Sequence, residues 1–302
     1  MDIVWLWVPA TLAAAAAQTA RNAMQRSLTE TIGTVGATQV RFLFGLPFAV
    51  IFLALVVATT GESLPMPGPG FWGFVLMGAL TQIGATALML AAMRARSFSV
   101  VTAYVKTEPM QVAVFGLVFL GDPLTFALAL AVLIGTGGVL AMSWRPGILT
   151  EGGLQPILLG LAAGALFGLS AIGFRGAVLG LDDGSFLIRA TTTLVVGLAI
   201  QSLVLGLYLA IADRASLIAS LRVWRSSAKA GFLGALASQC WFIGFALTSA
   251  ANVRTLALVE VIMAQMVSRR IFSQNVTRQE LAGMAAIVVA VTILLAFAPI
   301  RD

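Results

Sequence analysis

Residues 101–125 read VTAYVKTEPMQVAVFGLVFLGDPLT, and residues 253–277 read VRTLALVEVIMAQMVSRRIFSQNVT, 152 positions further on. In both copies a glutamate, Glu108 and then Glu260, stands inside an apolar run. A polar turn follows at the same distance, then a threonine, then another apolar run. A charge at the centre of a bilayer costs about 2.5–3.5 kcal/mol on insertion scales, so it persists where it has a task. Repeated halves that each carry such a charge are the pattern of a secondary transporter whose site lies between them.

The rest of the chain agrees with a membrane setting. Its 302 residues are 60% hydrophobic and only 10% charged, against about 25% charged in ordinary globular domains. Mean hydropathy is +1.00. Ten windows are long enough to cross hydrocarbon: 3–20, 35–59, 71–93, 100–120, 126–144, 158–180, 186–212, 228–249, 256–272 and 281–299. The predicted fold is therefore all-α and integral to the membrane, with ten transmembrane helices. The first window lacks the basic flank of a cleavable signal and reads as a true span.

The chain has no histidine and one cysteine, Cys240. That excludes a His-ligated metal, a His general base and a structural disulfide, so no enzyme activity and no cofactor are expected. Cys240 reads as a small packing residue. A net charge of +6 would suggest nucleic acid for a soluble protein. Here it reads as arginine in loops beside anionic head groups, with the lipid bilayer and a small solute as partners and no nucleic acid.

Other pairs repeat as well. Arg41 and Arg189 are 148 residues apart, and Arg26 and Arg175 are 149 apart. The two units are 1–146 and 154–302, with the turn at 145–156 between them. Five spans per unit is an odd number, so the second five-helix repeat is inverted relative to the first. Loops after the odd-numbered spans hold Arg21, Arg26, Arg94, Arg96, Arg145, Arg214, Arg222, Arg225, Lys229, Arg269, Arg270 and Arg278, and the other side holds Arg175, Arg254 and Arg301. This twelve-to-three bias predicts periplasmic termini. Within 213–229, the segment SLIASLRVW predicts a short interfacial helix with Trp224 at head-group level.

FLGDPLT at 119–125, with Gly135 in the following LIGTGG, resembles the signature closing each half of EamA-like proteins of the drug/metabolite transporter superfamily. Pro109 stands where that family has a mid-helix proline, and QELAG at 279–283 resembles the second signature. Asp122 replaces the family's usual glutamate and Gln274 replaces the second acid, which points to a helix-end role for Asp122. The resemblance implies a carrier in the bacterial inner membrane for amino acids or small amphipathic metabolites, working in export. It is most similar to the YddG-type amino-acid exporter branch. Familiar members are drawn with cytoplasmic termini, opposite to the charge bias.

The candidate site residues are polar groups inside apolar runs. Lys106 and Glu260, from opposite halves, suit the carboxylate and ammonium of a zwitterion. On an ideal helix Lys106 and Glu108 lie about 200° apart, which predicts different surroundings for the two. Tyr104, Gln82, Gln18, Asn22, Gln239 and Trp241 supply hydrogen bonds and an apolar wall. Pro109 breaks its helix and frees a carbonyl, and Glu108 is a candidate for coupling. Each has a bland reading too: a Lys106–Glu260 ion pair, amides bonding between helices, an indole packing. Spans 4 and 9 are expected to meet. Arg41 and Arg189 read as interface anchors, and Gly160, Gly164 and Gly168 as a ridge that lets a neighbouring helix approach. A channel or an intramembrane enzyme without histidine is the alternative to a carrier. The first would show rings of one charge or a filter-like segment, the second a nucleophile–base constellation.

Overall fold

A computed structural model describes residues 3–95, 98–143, 154–272 and 277–297. Among these, every regular element is helical. The first unit holds α1 (Trp7–Leu43), α2 (Leu46–Thr60), α3 (Phe71–Ala95), α4 (Phe98–Val105), α5 (Glu108–Leu120) and α6 (Phe126–Ser143). The second holds α7 (Gln155–Leu179), α8 (Phe186–Ala212), α9 (Arg214–Arg222), α10 (Trp224–Leu247), α11 (Ala250–Leu256), α12 (Val259–Phe272) and α13 (Arg278–Ala296). Helices are the expected answer to long apolar runs, because hydrocarbon offers the backbone no partner and a helix satisfies its own N–H and C=O groups.

Among the described residues, six stretches are individually long and apolar enough to cross a membrane: Thr31–Thr60, Phe71–Met93, Gln155–Leu179, Phe186–Ala212, Trp224–Leu247 and Arg278–Ala296. Two of the ten sequence windows fall short for a definite reason. Window 100–120 is split between α4 and α5, and window 256–272 is cut at its start by the break between α11 and α12, which leaves α12 alone to fill it. Large apolar side chains such as Phe126 and Ile211 are 84% and 86% exposed, as lipid-facing residues would be.

α1 is not one rod. At Gly33 the backbone adopts φ 71°, ψ 176°, a left-handed conformation that glycine alone enters cheaply. The Gln25 side-chain amide donates to the carbonyl of Ala37 at 2.7 Å. Twelve residues of straight helix would hold these groups about 18 Å apart, so the chain folds back on itself at Gly33. The first helical leg therefore runs well past the predicted end at Ala20. Arg21 is inside it and buried, which removes Arg21 from the loop cations.

The three most extensive helix–helix contacts are α3 on α7, α1 on α10 and α6 on α13. The expected glycine ridge faces α4 and α5. A Cβ on Gly160 would lie 2.7 Å from that of Tyr104, and one on Gly164 would lie 3.0 Å from the carbonyl oxygen of Val105. Small residues are what let those backbones approach. The expected short helix in the 213–229 connection is α9, capped by Asp213, which accepts from the Ser216 N–H at 3.1 Å. Trp224 begins α10 and is 57% exposed. Thr277 and Glu280 start α13 with a reciprocal capping box, at 3.1 and 2.8 Å. Cys240 is a free, partly buried residue of α10. Gln274, most of the mid-chain turn and the side chains of Arg26, Arg269 and Arg270 lie outside the described residues.

Candidate functional site

The site grows from two interrupted helices. α4 stops at Val105 and α5 restarts at Glu108; α11 stops at Leu256 and α12 restarts at Val259. Across each gap the backbone tightens to i→i+3 bonds, Thr107 N–H to Tyr104 C=O at 3.2 Å and Leu258 N–H to Thr255 C=O at 3.1 Å. Pro109 accounts for the first break, having no N–H to give and a φ that suits a helix start. The second break occurs without a proline. Each restart places a glutamate in the first turn, Glu108 in α5 and Glu260 in α12, where the positive end of the helix dipole favours a carboxylate.

Each glutamate takes its cation from the other half of the chain. Lys106 Nζ donates to Glu260 Oε2 at 2.6 Å. Arg254 Nε lies 3.0 Å from Glu108 Oε1, an ion pair without the alignment of a hydrogen bond. All four residues are buried. Spans 4 and 9 thus meet, as expected. The break also overturns the ideal-helix expectation for Lys106 and Glu108. They line one cavity, because residues 106–107 are outside any helix and the 100° step does not apply between them.

Gln18 of α1 extends the network. Its amide donates to Glu260 Oε2 at 3.1 Å, and its carbonyl oxygen accepts from Trp241 Nε1 at 3.2 Å. Arg254 stacks over the Trp241 ring at 4.6 Å, a cation–π contact that shields the guanidinium. Gln82 accepts from Gln201 at 2.9 Å. Six of the expected residues, Lys106, Glu260, Gln18, Asn22, Gln82 and Trp241, line the cavity together with Glu108. Two expected ligands stand apart from it. Tyr104 packs on Gly160, and Gln239 donates to Thr191 Oγ1 at 2.8 Å between α10 and α8. Pro109 is buried just beyond the break.

Three charged residues of the cavity are ones whose sequence context points elsewhere. Arg21 and Arg254 carry the pattern of loop cations and Arg41 that of an interface anchor, yet all three are buried and line the cavity. Arg189, the repeat counterpart of Arg41, is not among the lining residues. A signal for Arg21 was present. Gln18, Arg21, Asn22 and Gln25 recur at helical spacing, a polar stripe on an apolar helix. The cavity encloses about 40 Å³ open to water-sized molecules, enough for water and too little for a metabolite until the helices move.

One end of the bundle is tied together by a single arginine. Arg175 of α7 grips Asp122 in the α5–α6 turn with Nε to Oδ2 at 3.1 Å and Nη2 to Oδ1 at 2.9 Å. Its Nη1 donates to the carbonyl of Phe245 at 2.6 Å and to that of Thr248. Asp122 stands at the expected helix end, its N–H donating to the Gly116 carbonyl at 3.1 Å, and its carboxylate adds a bidentate pair, the strong geometry for arginine. Arg175 is buried rather than a loop cation. On the same end, Pro67 and Leu181 form an isolated bridge, and Ser185 N–H donates to Glu62 at 2.7 Å. That bond, with the Ser185 hydroxyl and Thr60, holds the Glu62 carboxyl below its usual range. Between this end and the cavity, Phe174 packs on Phe242 with tilted rings 4.6 Å apart, and Phe242 stacks with Phe245 at 6.2 Å.

A solved crystal structure matches 97% of this chain and 97% of its own at a TM-score of 0.70 and 14% identity, which shows a shared fold. No curated protein matches by sequence. Residues 5–144 match the sequence profile described as the EamA-like transporter family. Over that segment, just under half of its length, the chain is similar to the EamA-like transporter family, and its long apolar helices are those of a multi-pass membrane protein.

Proposed function

We propose that the protein is a ten-span carrier of two inverted five-helix repeats, 1–146 and 154–302, which moves a small solute by alternating access around the cavity between them. The observation that carries this is the crosswise pairing, Lys106 with Glu260 and Glu108 with Arg254, at two helix breaks one repeat apart. Discontinuous helices at the interface of repeats are where such carriers hold their solutes. The packing supports the duplication. If α1 corresponds to α7 and α3 to α10, the α3–α7 contact becomes the α10–α1 contact, and both are major. Sealing of one end by Arg175 and Asp122 supports a conformation closed on that side. The family resemblance supports amino acids or related metabolites exported across a bacterial inner membrane.

Counterflow into proteoliposomes, screened over amino acids and small metabolites, tests the proposal. A carrier gives saturable flux and exchange across the membrane. Flux that rises linearly with concentration and shows no counterflow indicates a channel instead.

A further inference from the structure

The cavity carries an excess of positive charge. Four cations line it, Arg21, Arg41, Lys106 and Arg254, against two carboxylates, Glu108 and Glu260. The carboxylates are used by Lys106 and Arg254. Among the described residues, Arg21 and Arg41 make no salt bridge to a carboxylate. Arg21 is 3% exposed and spends Nη2 on Asn22 Oδ1 at 2.7 Å, while its Nε and Nη1 have no hydrogen-bond partner. Arg41 is 4% exposed and reaches only as near as 3.4 Å to Thr86 Oγ1. The two side chains run side by side over Gly234. A Cβ there would be 3.4 Å from Cδ of Arg21 and 3.4 Å from Cγ of Arg41. Two neighbouring buried guanidinium groups, one of them with donors to spare, are strongly unfavourable unless an anion joins them.

We infer that this cavity binds an organic oxyanion, held by Arg21 and Arg41 through its carboxylate or phosphate oxygens. Guanidinium forks match those oxygens two at a time. The organic body has its own wall, since Met89, Met93, Val105 and Phe167 line the same cavity. Zwitterions, whose charges cancel, leave the excess uncompensated. Acidic amino acids and other carboxylates neutralise it. Transport of such an anion rests on the carrier reading above; its binding does not.

The test uses the purified full-length protein in detergent at constant ionic strength. Thermal unfolding is followed while sodium benzoate, succinate, glutamate, inorganic phosphate, leucine or benzylamine hydrochloride is titrated. The organic anions raise the unfolding temperature saturably, as a ligand of the native state must, and leucine and benzylamine do not. Arg21→Gln and Arg41→Gln each weaken the apparent anion affinity by on the order of tenfold or more, the worth of a charge-assisted hydrogen bond. Arg21→Gln without ligand unfolds no lower than the wild type, because it removes an uncompensated buried charge. Arg21→Lys keeps the charge and loses the fork, and its affinity falls between the two. Absence of any shift with the three organic anions overturns the inference, as does a shift that survives in the double glutamine variant. A shift with inorganic phosphate alone overturns the organic body. A wild type that carries leucine or benzylamine but no anion in proteoliposomes overturns the anion site and leaves the carrier. Anion binding through both arginines with no flux of any solute leaves the site and overturns the carrier.

Discussion

Removing either member of the Lys106–Glu260 pair should not be equally harmful, and the charge around it says which loss is worse. The pair is short, 2.6 Å, with side chains 9% and 8% exposed. Breaking such a buried pair by deleting one partner costs about 3–5 kcal/mol, because the survivor stays buried without compensation. Glu260→Gln leaves four cations facing the single carboxylate of Glu108. The full cost is expected, a fall in unfolding temperature of about 6–10 °C at roughly 2 °C per kcal/mol. Lys106→Met instead leaves a carboxylate that still accepts from Gln18 and shares its cavity with Arg21 and Arg41. Its loss is expected to be less than about half as large. The double variant Lys106→Met/Glu260→Gln returns part of the Glu260→Gln loss, as coupled sites do. Size-exclusion-detected thermal unfolding of the three variants measures this. Equal losses, or a larger loss for Lys106→Met, refute the charge excess on which the reasoning stands.

Asp122→Asn unties the Arg175 fork. It is expected to speed labelling of a cysteine placed at Phe242 by an impermeant maleimide added on the Asp122 side, while a rate equal to the parent's would show that the pair closes nothing. Glu62, held below its usual range by the Ser185 amide, contributes its stability above the unfolded carboxylate value and loses it as pH falls through the folded one. Hydrogen exchange at Ser185 should therefore quicken as the solution is acidified through the carboxylate range, and Glu62→Gln should abolish that dependence; an acid response unchanged in the variant contradicts the link. Both termini are expected outside the cytoplasm. Bright fluorescence from a C-terminal green fluorescent protein fusion, with a silent alkaline phosphatase fusion, would reverse that orientation.

The fold was legible where the sequence repeats and where apolar runs are unbroken. α3, α7, α8, α10 and α13 lie close to their predicted windows. The charge pair was legible too, because Lys106 and Glu260 are conspicuous inside apolar runs. What the sequence hid were the arginines. Arg21 and Arg254 sit near the ends of apolar windows, and there a loop cation and a buried cation look alike. Only the turn at Gly33, which carries helix past Arg21, and the break at Ala257–Leu258, which turns Arg254 inward toward Glu108, separate the two. Removing the buried Arg21 from one side, and Arg175 and Arg254 from the other, leaves the loop charge bias stronger than before. Gln239 lies away from the cavity for a related reason. Its amide has a nearby hydroxyl, Thr191 on α8, and sequence alone does not reveal which neighbour claims a buried amide.

The most direct test of the central claim, a cavity between two repeats that opens to each side in turn, needs no knowledge of the solute. Cys240 is the chain's one cysteine, so Cys240→Ala gives a clean background, and Gln82→Cys then places a single thiol in the cavity wall. Labelling with a charged, impermeant methanethiosulfonate is measured in right-side-out and inside-out vesicles. The account predicts modification from both sides, slower from the side closed by Arg175 and Asp122 and accelerated there by Asp122→Asn. Modification from one side only, under all of these conditions, would contradict it.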